Sequence, residues 1–366
     1  MSQPSHEGKS KSGAGSQESG ASSYLQILRS TVLIGGSSAF AIVFAIIRNK
    51  AAAVLVGPEG FGLMSLYSAL LELSQSIASL GLQSSGVRQI AEAAGAGDME
   101  RSAVIASLLR KASLLLGVLG MGALLLLRVP VSGFTFGEHA DAVGVGLLSL
   151  AVLLRVVSGA QNALLQGTRQ IALLARANMF AAVLGTVVTV PLLYVWGIKG
   201  IVPSLVGMAA ISLMLSWVYA RRVQLPQVSL TPPDIRREAP GLMKLGLVFL
   251  VTGLLTVAAA YLIRLLVMQT HGPTAAGLYQ AAWTVGGIYA GFVLQAMGAD
   301  FYPRLSAVCN DNEACNKLVN EQAQVGMLLA GPGLLATLSW APFVIELLYS
   351  SKFHDAGVAL RWICLG

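Results

Sequence analysis

Charge is what this sequence has least of. Only 11% of its 366 residues are Asp, Glu, Lys or Arg, against roughly 25% in a soluble domain. With 55% apolar residues, that shortage excludes a water-soluble globular chain. Acids are fewer than bases, 17 against 24. In a soluble protein the net charge of +7 would point to nucleic acid. In a chain this apolar, cationic loops set orientation at a membrane, and no nucleic-acid partner is expected. Cysteine is nearly absent: Cys309, Cys315 and Cys364 fit no zinc spacing and read as free thiols. The chain has no HExxH, no G-x-S-x-G, no Walker A sequence and no paired carboxylates on one face. Bond-making chemistry therefore has no site, and neither cofactor nor metal is expected. Without a nucleotide site, any energy must come from an ion or substrate gradient. No cleaved leader is expected either. Residues 1–23 are rich in Ser, Gly and Lys and predict a disordered cytoplasmic tail. The apolar segment after them is too long for a signal peptide, and no A-x-A site follows.

Apolar runs near 20 residues fill the remainder, and mean hydropathy is +0.70. We read an all-α polytopic membrane protein with nine complete spans and the start of a tenth. Approximate limits are 26–56, 60–83, 103–127, 142–166, 170–195, 198–220, 241–269, 275–298, 322–349 and 357 onward. Pro191, Pro203 and Pro332 lie in or near spans, where proline kinks a helix. Lys and Arg fall about two to one on the side of the N-terminus, which predicts a cytoplasmic N-terminus.

One motif occurs twice. Residues 56–63 read V-G-P-E-G-F-G-L and residues 271–278 read H-G-P-T-A-A-G-L. A constant offset of 215 pairs Gly57 with Gly272, Pro58 with Pro273 and Gly62 with Gly277. Each motif follows an apolar stretch carrying one arginine, Arg48 or Arg264. A second anchor matches Leu154-Arg155 to Leu360-Arg361. The segment 221–240, with Arg221-Arg222, Pro232-Pro233 and Arg236-Arg237, reads as a cytoplasmic linker. The expected architecture is two six-helix lobes related by a pseudo-two-fold along the membrane normal. Residues 24–220 form the N-lobe. Residues 241–366 form a C-lobe of about four spans, read as truncated because A-L-R-W-I-C-L-G stops inside a helix.

Polar residues gather in stripes. Span two carries Ser65, Ser68, Glu72, Ser76, Ser79 and Gln83 at steps of three or four. Span four carries Arg155, Ser158, Asn162 and Gln166; span one Thr31, Gly35, Ser38 and Arg48; span seven Thr252, Thr256 and Arg264; span eight Gln280, Thr284, Gly291 and Gln295. Single Ser or Thr residues serve helix–helix hydrogen bonds. Five stripes holding or facing cations point instead to a shared aqueous cavity. A mid-bilayer arginine costs about 2.5–3.5 kcal/mol on insertion scales. Arg48 and Arg264 either snorkel or face that cavity; Arg155 is too deep to snorkel. Glu72 is the one carboxylate deep in a span. It is either an ion-pair partner for an arginine or a protonatable, ion-coupling group. Guanidinium forks suit phosphate best, so Arg48, Arg155, Arg264 and Arg361 are the candidate ligands of an anionic substrate.

These residues resemble a known family. G-P-E-G-F-G-L after span one is similar to the first-loop motif of O-antigen translocases, the Wzx-type oligosaccharide flippases. L-Q-S-S-G-V-R-Q-I-A-E-A at 82–93 resembles the cytoplasmic end of their second helix. L-L-R-V-V-S-G-A-Q-N-A-L-L-Q-G at 153–167 and L-L-Y-S-S-K-F at 347–353 fit as well. The resemblance covers residues 24–366 and places the chain in the multidrug/oligosaccharidyl-lipid/polysaccharide exporter superfamily. It implies alternating access and no enzyme activity. The implied substrate is an undecaprenyl-diphosphate-linked oligosaccharide, moved from the cytoplasmic to the periplasmic leaflet of the bacterial inner membrane. A polysaccharide polymerase and a chain-length regulator are the implied partners. Full members extend past Gly366. Three other readings compete: a drug or small-solute exporter of the same superfamily, which predicts an acidic, aromatic cavity; a membrane polymerase or ligase, which needs a large outer loop; and a non-transporting scaffold of polysaccharide assembly.

Overall fold

The computed structural model describes residues 14–365 apart from 140, 227, 229 and 308–311; within them, the side chains of 14–35, 37, 38, 138, 288–307, 314, 329 and 330 are not described. Every regular element among the described residues is helical: α1 (Ala14–Ser79), α2 (Leu82–Gly95), α3 (Met99–Leu126), α4 (Arg128–Phe136), α5 (Ala142–Gly167), α6 (Ile171–Trp196), α7 (Ile201–Ala220), α8 (Pro232–Ala307), α9 (Asn312–Leu348) and α10 (Ala356–Leu365), with short 3-10 turns between some of them.

Six stretches are long and apolar enough to cross a membrane. Three of these run for 41, 50 and 56 residues, at least twice the roughly 20 that one crossing needs. Each long stretch is broken by a glycine with positive φ: Gly57, Gly197 or Gly272. Gly57 (φ 68°, ψ −177°) and Gly272 (φ 81°, ψ 178°) sit where a side chain is essentially forbidden. The repeated G-P motif is therefore a reversal, with glycine turning the chain and proline starting the next helix. A straight helix would hold Arg48 and Glu72 about 36 Å apart, yet both line one cavity. Arg264 and Gln280, about 24 Å apart on a straight helix, are hydrogen-bonded at 2.8 Å. Counting each broken stretch twice gives nine crossings among the described residues, with α10 as a shorter apolar helix.

The two motifs meet. A methyl group on Gly62 would lie 2.0 Å from the carbonyl oxygen of Pro273, and one on Gly277 would lie 1.9 Å from that of Pro58. The offset of 215 relates both members of these contacts, as a two-fold axis requires. Around this crossing lies the main core. Phe61 packs edge-on against Tyr349 and Phe353, and Thr135 shares a 2.7 Å hydrogen bond with Tyr261. At the other end of the bundle Gly81 abuts the backbone of Gly246, and Ser85 donates to the Leu242 carbonyl.

Three boundaries differ from the sequence reading. Residues 1–13 of the expected tail lie outside the described residues, but the helix already begins at Ala14. Extending a helix from an apolar span costs far less than nucleating one, so composition misplaces the tail's end at 23. The linker predicted at 221–240 ends at Thr231. Thr231 donates its amide and hydroxyl to Asp234, and proline fills the first helical positions. This is a variant of the capping box. Span two, expected over 60–83, ends at Ser79, and 82–93 is not its continuation as the resemblance implied. Leu80 and Gly81 both have positive φ, and α2 is a separate helix, the break being set by the close approach of Gly81 to α8.

Candidate functional site: a cationic cavity between the lobes

Arg48 lies nine residues before the reversal at Gly57 and Arg264 eight before that at Gly272. Similar helix lengths bring both to similar depth. The fold-back then sets Ser65, Ser68 and Glu72 opposite Arg48. α5 supplies Arg155, and α8 closes the space with Arg264, Gln280 and Thr284. All eight line one cavity of about 460 Å³, together with Asn49 and Phe61 of α1, Met208 and Ser212 of α7 and apolar residues of α1, α6 and α7. Among the described residues, three guanidinium groups thus share the cavity with one carboxylate.

Their hydrogen bonding is uneven. Arg264 donates from Nε to Gln280 Oε1 at 2.8 Å and from Nη1 to the Ala260 carbonyl at 2.9 Å. Gln280 in turn donates to Thr284 Oγ1 at 3.0 Å. That network fixes the fork without neutralising it. Arg48 lies against α6, where a methyl on Gly185 would come within 3.8 Å of Nη1. Its Nε is buried and has no hydrogen-bond partner among the described residues, a state that costs about 1–3 kcal/mol or more for a charged group. Arg155 and Glu72 also share the wall of an adjoining cavity of about 320 Å³ with Gln75, Ser76, Ser79 and Gln83. The polar stripe of span two therefore continues toward Gly81 as a polar seam bounded by Phe249, Leu250, Gly253 and Val257 of α8.

The other predicted residues lie elsewhere. Arg361 is exposed on α10 and donates from Nε to the Leu338 carbonyl at 3.1 Å. α10 buries Ala356, Gly357 and Leu360, and Arg361, one position on from Leu360, points away from that packed side. Thr252 and Thr256 are exposed. Ser158 is hydrogen-bonded to Ser212 at 3.0 Å, the helix–helix role. The side chains of Thr31, Gly35, Ser38, Gly291 and Gln295, and all of Cys309, lie outside the described residues. Cys315 and Cys364 are free. The sequence reading missed Met208 and Ser212. Ser204, Met208, Ser212 and Ser216 recur at steps of four, and that stripe would have found them. The described residues contain no cluster of three or more His, Cys, Asp or Glu able to hold a metal.

The sequence pattern of a polysaccharide biosynthesis protein family matches residues 52–357. The chain belongs to that family. No curated protein matches it. Among solved structures, this family member is similar to a multidrug resistance MATE family transporter of the MOP superfamily in its inward-facing conformation. The TM-score is 0.69 at 18% identity, over 86% of this chain and 75% of that one. It is also similar to a MOP superfamily transporter from Pyrococcus furiosus, described as having a binding pocket of reverse polarity, with TM-score 0.64 and 18% identity over 91% and 76% of the two chains. The outward-facing form of a MATE transporter gives 0.60 at 18% identity over 92% and 78%. At these identities the likeness concerns the fold: a multi-pass, all-helical membrane protein with two lobes.

Proposed function

We propose that this chain is a flippase for an undecaprenyl-diphosphate-linked oligosaccharide, moving it from the cytoplasmic to the periplasmic leaflet by alternating access. The observation that carries the reading is the convergence of Arg48, Arg155 and Arg264 on one cavity that holds, among the described residues, one carboxylate. An uncompensated set of guanidinium forks recruits an anion, and diphosphate has the matching geometry. The family match to polysaccharide biosynthesis supports a glycan-bearing substrate. In this reading the arginines hold the diphosphate, the polar seam admits sugars, and Glu72 exchanges protons with the gradient.

The test is complementation of surface polysaccharide in a flippase-deficient strain, with membrane insertion checked for each variant. Loss of one partner of a desolvated charge pair costs about 2–5 kcal/mol, so alanine at Arg48, Arg155 or Arg264 should abolish most display. Lysine keeps the charge without the fork and should restore part of it. Wild-type display from all three inserted alanine variants would refute the mechanism. Drug export is the rival; it predicts protection against organic cations, for which a cavity richer in arginine than in acids is poorly built.

A further inference from the structure

A second cationic feature lies away from the transport cavity, on the outer face of the N-lobe. Two adjoining cavities there share Arg110, Ala220 and Arg221. One, of about 470 Å³, runs between α3 and the linker and includes Ser107, Pro226 and Val228. The other, of about 310 Å³, runs between α3, α5 and α7 and includes Leu114, Val157 and Trp217. The arginines stand at the waist. Leu114 follows Arg110 by one turn of α3, and Trp217 precedes Arg221 by one turn at the end of α7. Both apolar residues therefore lie one turn further into the span than the cation beside them. Leu114 and Trp217 are about half exposed, at 53% and 46%, on a face that meets lipid.

The two cations repel each other, and neither is joined to a carboxylate among the described residues. Arg221 instead lies over Trp217, 3.4 Å from the ring centroid, which holds its guanidinium at the waist of the groove. Simple snorkelling would send two like charges apart into water. Here they are kept together between a polar vestibule and an apolar slot.

We propose that this groove binds one anionic glycerophospholipid of the linker-side leaflet. The phosphate sits between Arg110 and Arg221 with Ser107 as a donor, and an acyl chain lies over Leu114, Val157 and Trp217. Basic grooves beside membrane helices recognise lipid head groups in this way. The site is independent of the transported substrate.

The test uses the full chain in nanodiscs and reads tryptophan fluorescence against lipids brominated on the acyl chain. Trp217→Phe isolates the contribution of that ring. At equal mole fraction, dibromo-phosphatidylglycerol should quench the Trp217 component more than dibromo-phosphatidylcholine. Each basic residue near an anionic leaflet favours the anionic lipid by about fivefold. The preference should therefore fall about fivefold in Arg110→Gln or Arg221→Gln and vanish in the double variant. Arg110→Lys with Arg221→Lys should retain part of it. Lys111→Gln, exposed beside the groove but not lining it, should leave it unchanged. Equal quenching by the two lipids in the wild type overturns the proposal, as does a preference that survives the double glutamine variant. An isoprenoid diphosphate that relieves quenching better than the same amount of unbrominated phosphatidylglycerol would assign the groove to a different ligand and also overturn it.

Discussion

Arg48, Arg155 and Arg264 illustrate what a residue can say by itself. The cost of a guanidinium at mid-span made each an outlier before any neighbour was known, and Glu72 stood out for the same reason. All four line one cavity. Arg361 had the same credentials from the repeat and faces away. Periodicity tells which residues share a helix face, not what that face meets. Thr252 and Thr256 fail for the same reason. Two predictions belong at this scale. Glu72→Gln should keep the affinity for lipid-linked diphosphate within about twofold, because the phosphate contacts belong to arginine, while transport in proteoliposomes loses its dependence on a proton gradient. Unchanged gradient dependence would remove Glu72 from coupling. Gly62→Ala and Gly277→Ala each place a methyl group within about 2 Å of a facing carbonyl oxygen, so the lobes must part at the motif crossing. Either variant should lose at least about 2 kcal/mol of stability, in the range of a badly overpacked site, read as a lower melting temperature in detergent. Gly133→Ala, where a methyl would meet open space, is the control and should melt near wild type.

At the scale of elements, the reversals at Gly57 and Gly272 were announced by the repeated G-P motif, because glycine and proline carry local geometry that survives any context. The break at Leu80–Gly81 was not announced. Its cause is the backbone of Gly246, 165 residues further along the chain, and no local pattern encodes that. The start of α8 was legible in T-P-P-D yet hidden by two arginine pairs that read as linker. Treating 232–240 as linker also concealed Glu238. It is buried and accepts both guanidinium hydrogen bonds of Arg101, at 3.0 and 3.1 Å, which ties α3 to the start of α8. Hydrogen bonds to charged groups contribute about 1.5–3 kcal/mol. Glu238→Gln should lower the melting temperature in detergent, and Arg101→Ala more so, because it leaves the buried carboxylate only the 3.5 Å ion pair with exposed Arg237. If the losses of Arg101→Ala and Glu238→Ala simply add in the double variant, the two residues are not coupled.

For the molecule as a whole, composition and arginine bias suffice for a membrane protein with many crossings. The repeat suffices for the two-fold. The reciprocal contact of Gly62 with Pro273 and Gly277 with Pro58 is where that symmetry becomes physical. Sidedness rests on the arginine bias, and it makes a prediction. Cysteine placed at Gln224 in the linker should resist an impermeant thiol reagent added outside intact cells, while cysteine at Lys352 should react; the reverse pattern inverts the topology. The imbalance of the cavity has one more effect. Three guanidinium groups against one carboxylate, among the described residues, leave a surplus of positive charge in the lumen. In the proposed reading a bound diphosphate would offset that surplus, so the loaded carrier would change conformation nearly neutral and the emptied carrier would not. Membrane voltage, at about 2.3 kcal/mol per charge per 100 mV, then acts on the return half of the cycle. An interior-negative potential would favour the empty cavity facing inward, ready for the next substrate, so the resting voltage of the cell would work beside proton exchange at Glu72 in resetting this protein.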